Sequence, residues 1–76
     1  MSERELAEEI GMNLARLLEE NEMNQTQLSI LTGIDKSTIS KYIKGLALPT
    51  TKNLVNIVYA LDCYFDDLVP SDEQIY

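Results

Sequence analysis

Leucine and isoleucine recur at steps of three and four residues along most of the chain, and no segment alternates apolar and polar residues over the length of a β-strand. Steps of three and four place side chains on one side of an α-helix. The first such stripe comprises Leu6, Ile10, Leu14 and Leu17, and Leu18 widens it. The pattern predicts a long first helix that packs against the rest of the molecule through these residues.

Each later segment repeats this pattern over a shorter length. The second helix is predicted to bury Leu28 and Leu31, and the third to bury Ile39 and Tyr42, with Ile43 at its edge. The buried residues predicted for the fourth helix are Leu54, Ile57, Val58 and Leu61. A last short turn or helix comprises Phe65, Leu68 and Val69.

Short polar residues precede the predicted helices. Ser2 with Glu5, and Asn24 with Gln27, have the spacing of a capping box, in which each side chain bonds the backbone N–H of the other residue. Short polar side chains at such positions satisfy N–H groups that the helix itself leaves free. The predicted N-caps are Ser2, Asn24, Asp35, and Thr50 or Thr51.

The three glycines have predicted roles of their own. Gly11 lies inside the first apolar stripe, where it marks either a kink or the close approach of another helix. Gly33 and Gly45 are predicted to end the second and third helices, because glycine adopts left-handed backbone angles without a Cβ penalty. The connection at Gly33 is about three residues long, which forces the two helices to cross at about 90–120°.

The predicted fold is all-α, a compact bundle of about five short helices. A chain of 76 residues has room for one core, so residues 1–70 are predicted to form a single domain. A two-helix motif spans about residues 25–45, with its second helix at about 36–44. Residues 71–76 are predicted to form a short acidic tail.

Composition removes several classes of function. The chain has no histidine and one cysteine, so it lacks the commonest general base and metal ligand. We therefore expect that the protein is not an enzyme and that it holds no metal ion and no cofactor. Apolar runs are too short to span a bilayer, and the acidic residues 1–9 do not resemble a signal peptide. A cytoplasmic protein that does not bind membranes is expected.

The net charge of −7 is distributed unevenly along the chain. Residues 1–22 carry seven acidic and two basic residues, and residues 62–76 carry five acidic residues and no basic one, so each segment has a net charge of −5. Residues 23–61 carry four lysines and one aspartate, a net charge of +3. The segment that holds the two-helix motif is therefore expected to present a locally basic surface.

The second helix of the motif has a polar, cationic side opposite its buried one. That side comprises, at positions i, i+3, i+4 and i+7, Ser37, Ser40, Lys41 and Lys44, with Lys36 at its start. Lysine donates to guanine O6 and N7 or to phosphate, and serine hydroxyls bond most base edges. A short helix with this side fits the major groove of duplex DNA. Gln25 and Lys52, close to the starts of two helices, are placed to contact the phosphate backbone.

In its motifs and their order, the chain resembles the XRE family of helix-turn-helix domains, the lambda-repressor-like and Cro-like DNA-binding domains. The matching stretches are IGMNLARLLEENEMNQTQLSILTGIDKSTISKYIKG and LPTTKNLVNIVYALDCYFDDLV, within about residues 10–69. Here MNQ stands where the family has Leu-Thr-Gln, GID where it has Gly-Val-Ser, and STISK where it has Ser-Thr-Ile-Ser-Arg. The ordered set of fragments makes the resemblance specific.

The resemblance implies a bacterial or phage transcriptional regulator, repressor-like, that binds a palindromic operator as a homodimer and reads the major groove with its third helix. Base contacts are implied for Lys36, Ser37, Ser40 and Lys41. Phosphate contacts are implied for Gln25, Lys44, Lys52 and Arg16. The chain is short for a separate effector-binding domain, so no small-molecule effector is expected.

Two departures from the family pattern concern the starts of helices. Asp35 replaces a serine at the start of the third helix, and a role as N-cap is favoured although the acid lies close to the expected path of the phosphates. Tyr64 replaces the usual serine or threonine cap of the last helix. This tyrosine is a candidate for contact with a partner subunit.

A second class of function stays open. The same fold can bind a partner protein in place of DNA, as an antirepressor does, with the acidic ends of the chain as the recognition surface. The basic side of the third helix favours DNA. Retention of duplex DNA in competition with heparin distinguishes the two functions.

Overall fold

A computed structural model describes residues 1–71 of the chain, which form five α-helices and no strand. The helices are α1 (Glu3–Glu20), α2 (Gln25–Thr32), α3 (Lys36–Ile43), α4 (Thr51–Leu61) and α5 (Phe65–Leu68). The predicted all-α fold with five helices is confirmed. The predicted tail, residues 71–76, lies outside the described residues apart from Ser71. None of the five described helices combines the length and the apolar character needed to cross a membrane.

Side-chain hydrogen bonds begin three of the helices as the sequence predicts. The Glu5 N–H donates to Ser2 Oγ at 3.1 Å at the start of α1. The Gln27 N–H donates to Asn24 Oδ1 at 2.8 Å at the start of α2, where the Asn24 N–H donates in return to Gln27 Oε1. Thr50 caps α4 through its side-chain oxygen. These bonds satisfy N–H groups that lack partners within the helix.

The core lies where α1 meets the shorter helices. The fully buried side chains, one from each helix, are Leu14, Leu28, Ile39, Ile57 and Leu68. Helix α1 packs against α3 and α5, while α2 packs against α3 and α4. Since every helix contributes a side chain to one cluster, the relative placement of α2 and α3 depends on the whole core.

The predicted burial of Leu31 is wrong. Its side chain is 60% exposed and borders an open groove beside the turn between α1 and α2. The inward side of α2 consists instead of Leu28 with the half-buried Ser29 and Thr32. The Ser29 hydroxyl donates to the Ile34 carbonyl at 2.6 Å, and the Thr32 hydroxyl donates to the Leu28 carbonyl at 2.8 Å. Hydrogen bonds to the backbone let these two small polar residues face inward, which turns Leu31 outward.

Candidate nucleic-acid interface

Helix α3 rests on α1 at two glycines. A Cβ added to Gly11 would lie 2.5 Å from the Tyr42 carbonyl oxygen and 2.6 Å from that of Ile43. A Cβ added to Gly45, which has a φ of +71°, would lie 2.9 Å from the Glu8 Cα. Of the two roles predicted for Gly11, the close approach of another helix is therefore the one observed. Backbone contact at both glycines fixes the distance between the two helices.

Buried side chains fix the rotation of α3 about its own axis. Ile39 and Tyr42 face the core as predicted, and Ile43 lies at the edge. The Asn53 side-chain N–H donates to the Tyr42 hydroxyl oxygen at 2.8 Å, which ties α3 to α4. No sequence signal pointed to the bond between Asn53 and Tyr42. With its inner side held in this way, the opposite side of α3 is directed to solvent.

The turn between α2 and α3 is held by hydrogen bonds on both sides of a buried residue. Gly33 adopts a φ of +75°, as predicted for the end of α2. The next residue, Ile34, is buried, and its N–H donates to Thr32 Oγ1 at 3.2 Å while its carbonyl accepts from Ser29 Oγ. The start of α3 therefore has a defined position relative to α2.

The predicted base-contacting side of α3 is open to solvent. Lys36, Ser37 and Lys41 are exposed and Ser40 is half-buried. Lys44, directly after the helix, is also exposed. None of these lysines is ion-paired to a described residue. The side is therefore available for contact with an anionic partner.

Asp35 occupies the N-cap position of α3, but its side chain makes no cap hydrogen bond. The predicted position is confirmed, whereas the hydrogen bond that motivated the prediction is missing. The side chain is exposed, and the Asp35 carbonyl accepts from the Ile39 N–H at 3.0 Å as the helix begins. Asp35 thus places a carboxylate that is ion-paired with none of the described residues directly before Lys36.

Gln25 and Lys52, two of the predicted phosphate contacts, lie at the starts of helices that flank α3. Gln25 is the first residue of α2 and is half-buried. Lys52 is the second residue of α4 and is exposed. Because α2 packs on α3 and Asn53 is bonded to Tyr42, both helix starts are tied to the motif.

Arg16 lies apart from the other predicted contacts. At about 100° per residue, Arg16 is about 140° around α1 from Gly11, which contacts α3. Its guanidinium pairs with Glu20 at 3.3 Å and donates to Asn13 Oδ1 and to the Asp67 carbonyl, both at 3.4 Å. Neither the contact of Arg16 with α5 nor its angular separation from the side of α1 that contacts α3 was predicted from the sequence. As a phosphate contact, Arg16 stays a prediction.

Large exposed apolar residues also lie on other parts of the surface. Ile30 on α2 is 76% exposed, next to Leu31. Tyr59 near the end of α4 and Tyr64 before α5 are 79% and 82% exposed. The Asp67 side chain accepts from the Tyr64 N–H at 2.9 Å, which is the bond that the third helical residue makes in a capping box.

No described group of three or more His, Cys, Asp or Glu residues is arranged to hold a metal ion. Cys63, in the turn between α4 and α5, is half-buried. Burial raises the pKa of its thiol, and the nearby charges of Asp67 and Asp62 add to the rise. The thiol is therefore protonated and weakly nucleophilic at neutral pH.

One comparison with known proteins bears directly on the site. Residues 13–70 match the family described as Cro/C1-type HTH DNA-binding domain. The match includes the whole of α2, α3, α4 and α5 and the second half of α1. No curated protein sequence matches the chain.

Proposed function

The chain belongs to the Cro/C1-type HTH DNA-binding domain family, and from that premise we propose that it is a transcriptional repressor that binds a specific duplex operator. Helix α3 enters the major groove and reads base edges with Lys36, Ser37, Ser40 and Lys41. The function consists of binding alone and includes no catalysed reaction.

One observation carries the proposal: the solvent-facing side of α3 is polar and cationic, on a helix whose inner side is held by the core. A helix in a major groove must be rigidly placed and must present hydrogen-bonding groups without large apolar residues. The glycine contacts with α1 supply the first property. The serines and lysines supply the second.

Phosphate contacts position this helix on the duplex. Gln25 at the start of α2 and Lys52 at the start of α4 flank α3, and Lys44 follows its last turn. Helix starts present free N–H groups to anions, so these residues act together with the backbone. Arg16 joins the set only if it exchanges its bonds to Glu20 and α5 for a phosphate.

The acidic surface elsewhere does not prevent binding. The acidic residues of α1 are spread along a helix of 18 residues, about 27 Å at 1.5 Å per residue. The screening length at physiological salt is about 8 Å, so charges in direct contact with phosphates outweigh those farther along the body. The acidic body weakens non-specific binding, which favours selective binding.

We further propose that the repressor acts as a homodimer on a palindromic operator in the cytoplasm. A single short α3 reads few base pairs, and two-fold symmetry doubles the number read. The exposed Tyr59 and Tyr64 near α5 supply apolar surface for a second copy.

The competing function, binding of a partner protein in place of DNA, is favoured by the two adjacent exposed residues Ile30 and Leu31. An apolar pair on a small polar domain is a typical protein contact. The DNA function is preferred because the competing one gives no role to the lysines of α3.

The test begins with selection of bound sequences from a random duplex pool. We expect enrichment of two half-sites in inverted orientation, with a spacing that reports the dimer. Lys41→Ala is then expected to weaken binding to the selected duplex by about 1–3 kcal/mol in fluorescence anisotropy, with a smaller loss on a scrambled duplex.

Lys44→Ala serves as the matched control, since it removes the same charge from the end of the same helix. Its loss is expected to be equal on both duplexes, with the salt slope reduced by about 1. The proposal fails if the protein enriches no sequence, or if it forms no duplex complex even in dilute buffer.

A further inference from the structure

The proposed DNA-reading surface contains one acidic residue, at the end of α3 that enters the groove. We propose that Asp35 is a specificity-determining residue whose carboxylate accepts a hydrogen bond from N4 of a cytosine in the operator. This inference rests on the proposed function and names one base of the half-site that the chain reads.

The start of α3 differs from the starts of α1, α2 and α4. Ser2, Asn24 and Thr50 each turn their side-chain oxygen back onto the N–H of the third helical residue. Asp35 occupies the same N-cap position in α3, but its side chain makes no such hydrogen bond. Its carboxylate is also free of ion pairs with the described residues. A capping role in the free protein therefore does not account for the acid.

The position of Asp35 is nonetheless well defined. Ile34 before it and Ile39 after it are buried, and the Ser29 hydroxyl holds the Ile34 carbonyl at 2.6 Å. The first residues of a recognition helix are those that reach base edges. The structure therefore attaches an acceptor to a fixed backbone position on the proposed reading surface.

Cytosine is the base that matches such an acceptor. A carboxylate only accepts, and guanine and thymine offer only acceptors in the major groove. Adenine N6 donates but lies between two acceptors, its own N7 and thymine O4, which repel the carboxylate. Cytosine N4 has an acceptor, guanine O6, on one side only.

Lys36 complements this reading. Its ammonium donates, and guanine O6 and N7 are the acceptors that it suits. An acceptor and a donor on adjacent residues therefore match a C·G pair or two adjacent pairs that contain cytosine and guanine. The acid also repels the phosphates of every duplex. Only a duplex with the cytosine offsets this repulsion with a hydrogen bond, so duplexes that lack the cytosine bind less tightly.

Asp35→Asn tests the inference, because asparagine is as good an N-cap as aspartate but has no charge. Selection from the random duplex pool is repeated with this variant. The wild type is expected to enrich one cytosine per half-site that Asp35→Asn does not enrich. In anisotropy, preference for the selected duplex over one changed at that position falls by about fivefold or more. Affinity for scrambled duplex rises by about two- to fivefold.

Glu9→Gln is the matched control, since Glu9 is an exposed acid of α1 and the substitution changes the net charge equally. It is expected to keep the wild-type sequence preference. Equal thermal midpoints for the wild type and Asp35→Asn show that a change in preference does not come from unfolding.

The outcomes separate this inference from the proposed function. A wild type that enriches a half-site which Asp35→Asn enriches identically overturns the role of Asp35 and leaves the DNA function in place. A wild type that enriches half-sites without the cytosine has the same effect. A wild type that enriches no sequence overturns both.

Discussion

Two sides of α1 support surfaces of opposite character. Near Gly11, α1 contacts α3, whose outward side is cationic and polar. On another side, Asn13 and Arg16 hydrogen-bond α5, whose first turn contains Asp66 and Asp67. One surface suits a polyanion and the other does not, although both belong to a chain with a net charge of −7. Local charge, and not the total, thus determines which partner a small domain can bind.

The two surfaces also differ in how they are attached. Helix α3 touches α1 through backbone atoms at Gly11, and its inner side chains belong to the core. Helix α5 has only four residues and is held partly by the Asn13 side-chain N–H, which donates to the Leu68 carbonyl at 3.0 Å. Backbone contact leaves little room for movement, whereas a half-buried side-chain bond opens at lower cost. We therefore expect α3 to be held more firmly than α5.

Gly11→Ala breaks the attachment of α3 and is expected to have the largest effect. The added methyl would overlap the carbonyl oxygens of Tyr42 and Ile43, at 2.5 and 2.6 Å, and backbone atoms cannot rotate away. Alanine regains about 1 kcal/mol of helix propensity. The overlap outweighs that gain, so the free energy of unfolding should fall by about 2 kcal/mol or more in urea denaturation.

Gly33→Ala is the control for that measurement. Nothing lies within 4 Å of a Cβ added there, so only the left-handed φ of +75° contributes a cost, about 1–2 kcal/mol. A Gly11→Ala protein as stable as the wild type would show that α3 is not seated against α1 as described.

Asn13→Ala tests the weaker attachment. It removes the half-buried bond to the Leu68 carbonyl, and part of the loss is offset because alanine favours helix. We expect a net loss of about 0.5–1 kcal/mol in urea denaturation. Hydrogen exchange should accelerate at the Val69 N–H, which donates to the Phe65 carbonyl across α5.

Arg16→Ala is the natural comparison for Asn13→Ala. Arg16 also bonds α5, but its contacts are exposed and 3.3–3.4 Å long, so the loss should stay below about 0.5 kcal/mol. If the arginine variant lost more stability than the asparagine variant, the attachment of α5 would be electrostatic in origin.

Sequence patterns were sufficient to predict the five helices and where most of them begin. The capping residues Ser2, Asn24 and Thr50 and the left-handed Gly33 act through local chemistry, which depends only on near neighbours. Leu31 was placed wrongly because hydrophobicity alone cannot show that Ser29 and a neighbouring threonine are satisfied by backbone groups.

The site was predictable to a different extent. Helical spacing put Ser37, Lys41 and their neighbours on one side of α3, because that side lies opposite Ile39 and Tyr42. The missing cap hydrogen bond of Asp35 was not predictable, because the sequence does not distinguish an aspartate whose side chain caps a helix from one whose side chain does not. Hydrogen bonds between helices, such as the one from Asn53 to Tyr42, leave no periodic pattern in the sequence from which they could be predicted.

The smallest predicted effect uses Cys63, directly before α5, as a probe of the attachment of α5. Burial, with Asp67 and Asp62 nearby, raises the pKa of the thiol. Because the folded state holds this proton more tightly than the unfolded state, the resulting contribution to stability is lost as pH rises through the raised pKa. Alkylation by iodoacetamide at pH 8 should be slower in the folded protein than in denaturant, with its pH midpoint moved upward.

Asp62→Asn sharpens this measurement, since it removes one of the two charges and asparagine tolerates the left-handed φ of 49° at that residue. The pH midpoint should move down slightly, because Asp62 is the smallest of the causes. Asn13→Ala, which loosens α5, should accelerate alkylation more than Gly33→Ala, which lies in the turn before α3. Equal alkylation rates in these two variants would mean that α3 and α5 do not open independently, and the contrast between the two attachments would then be lost.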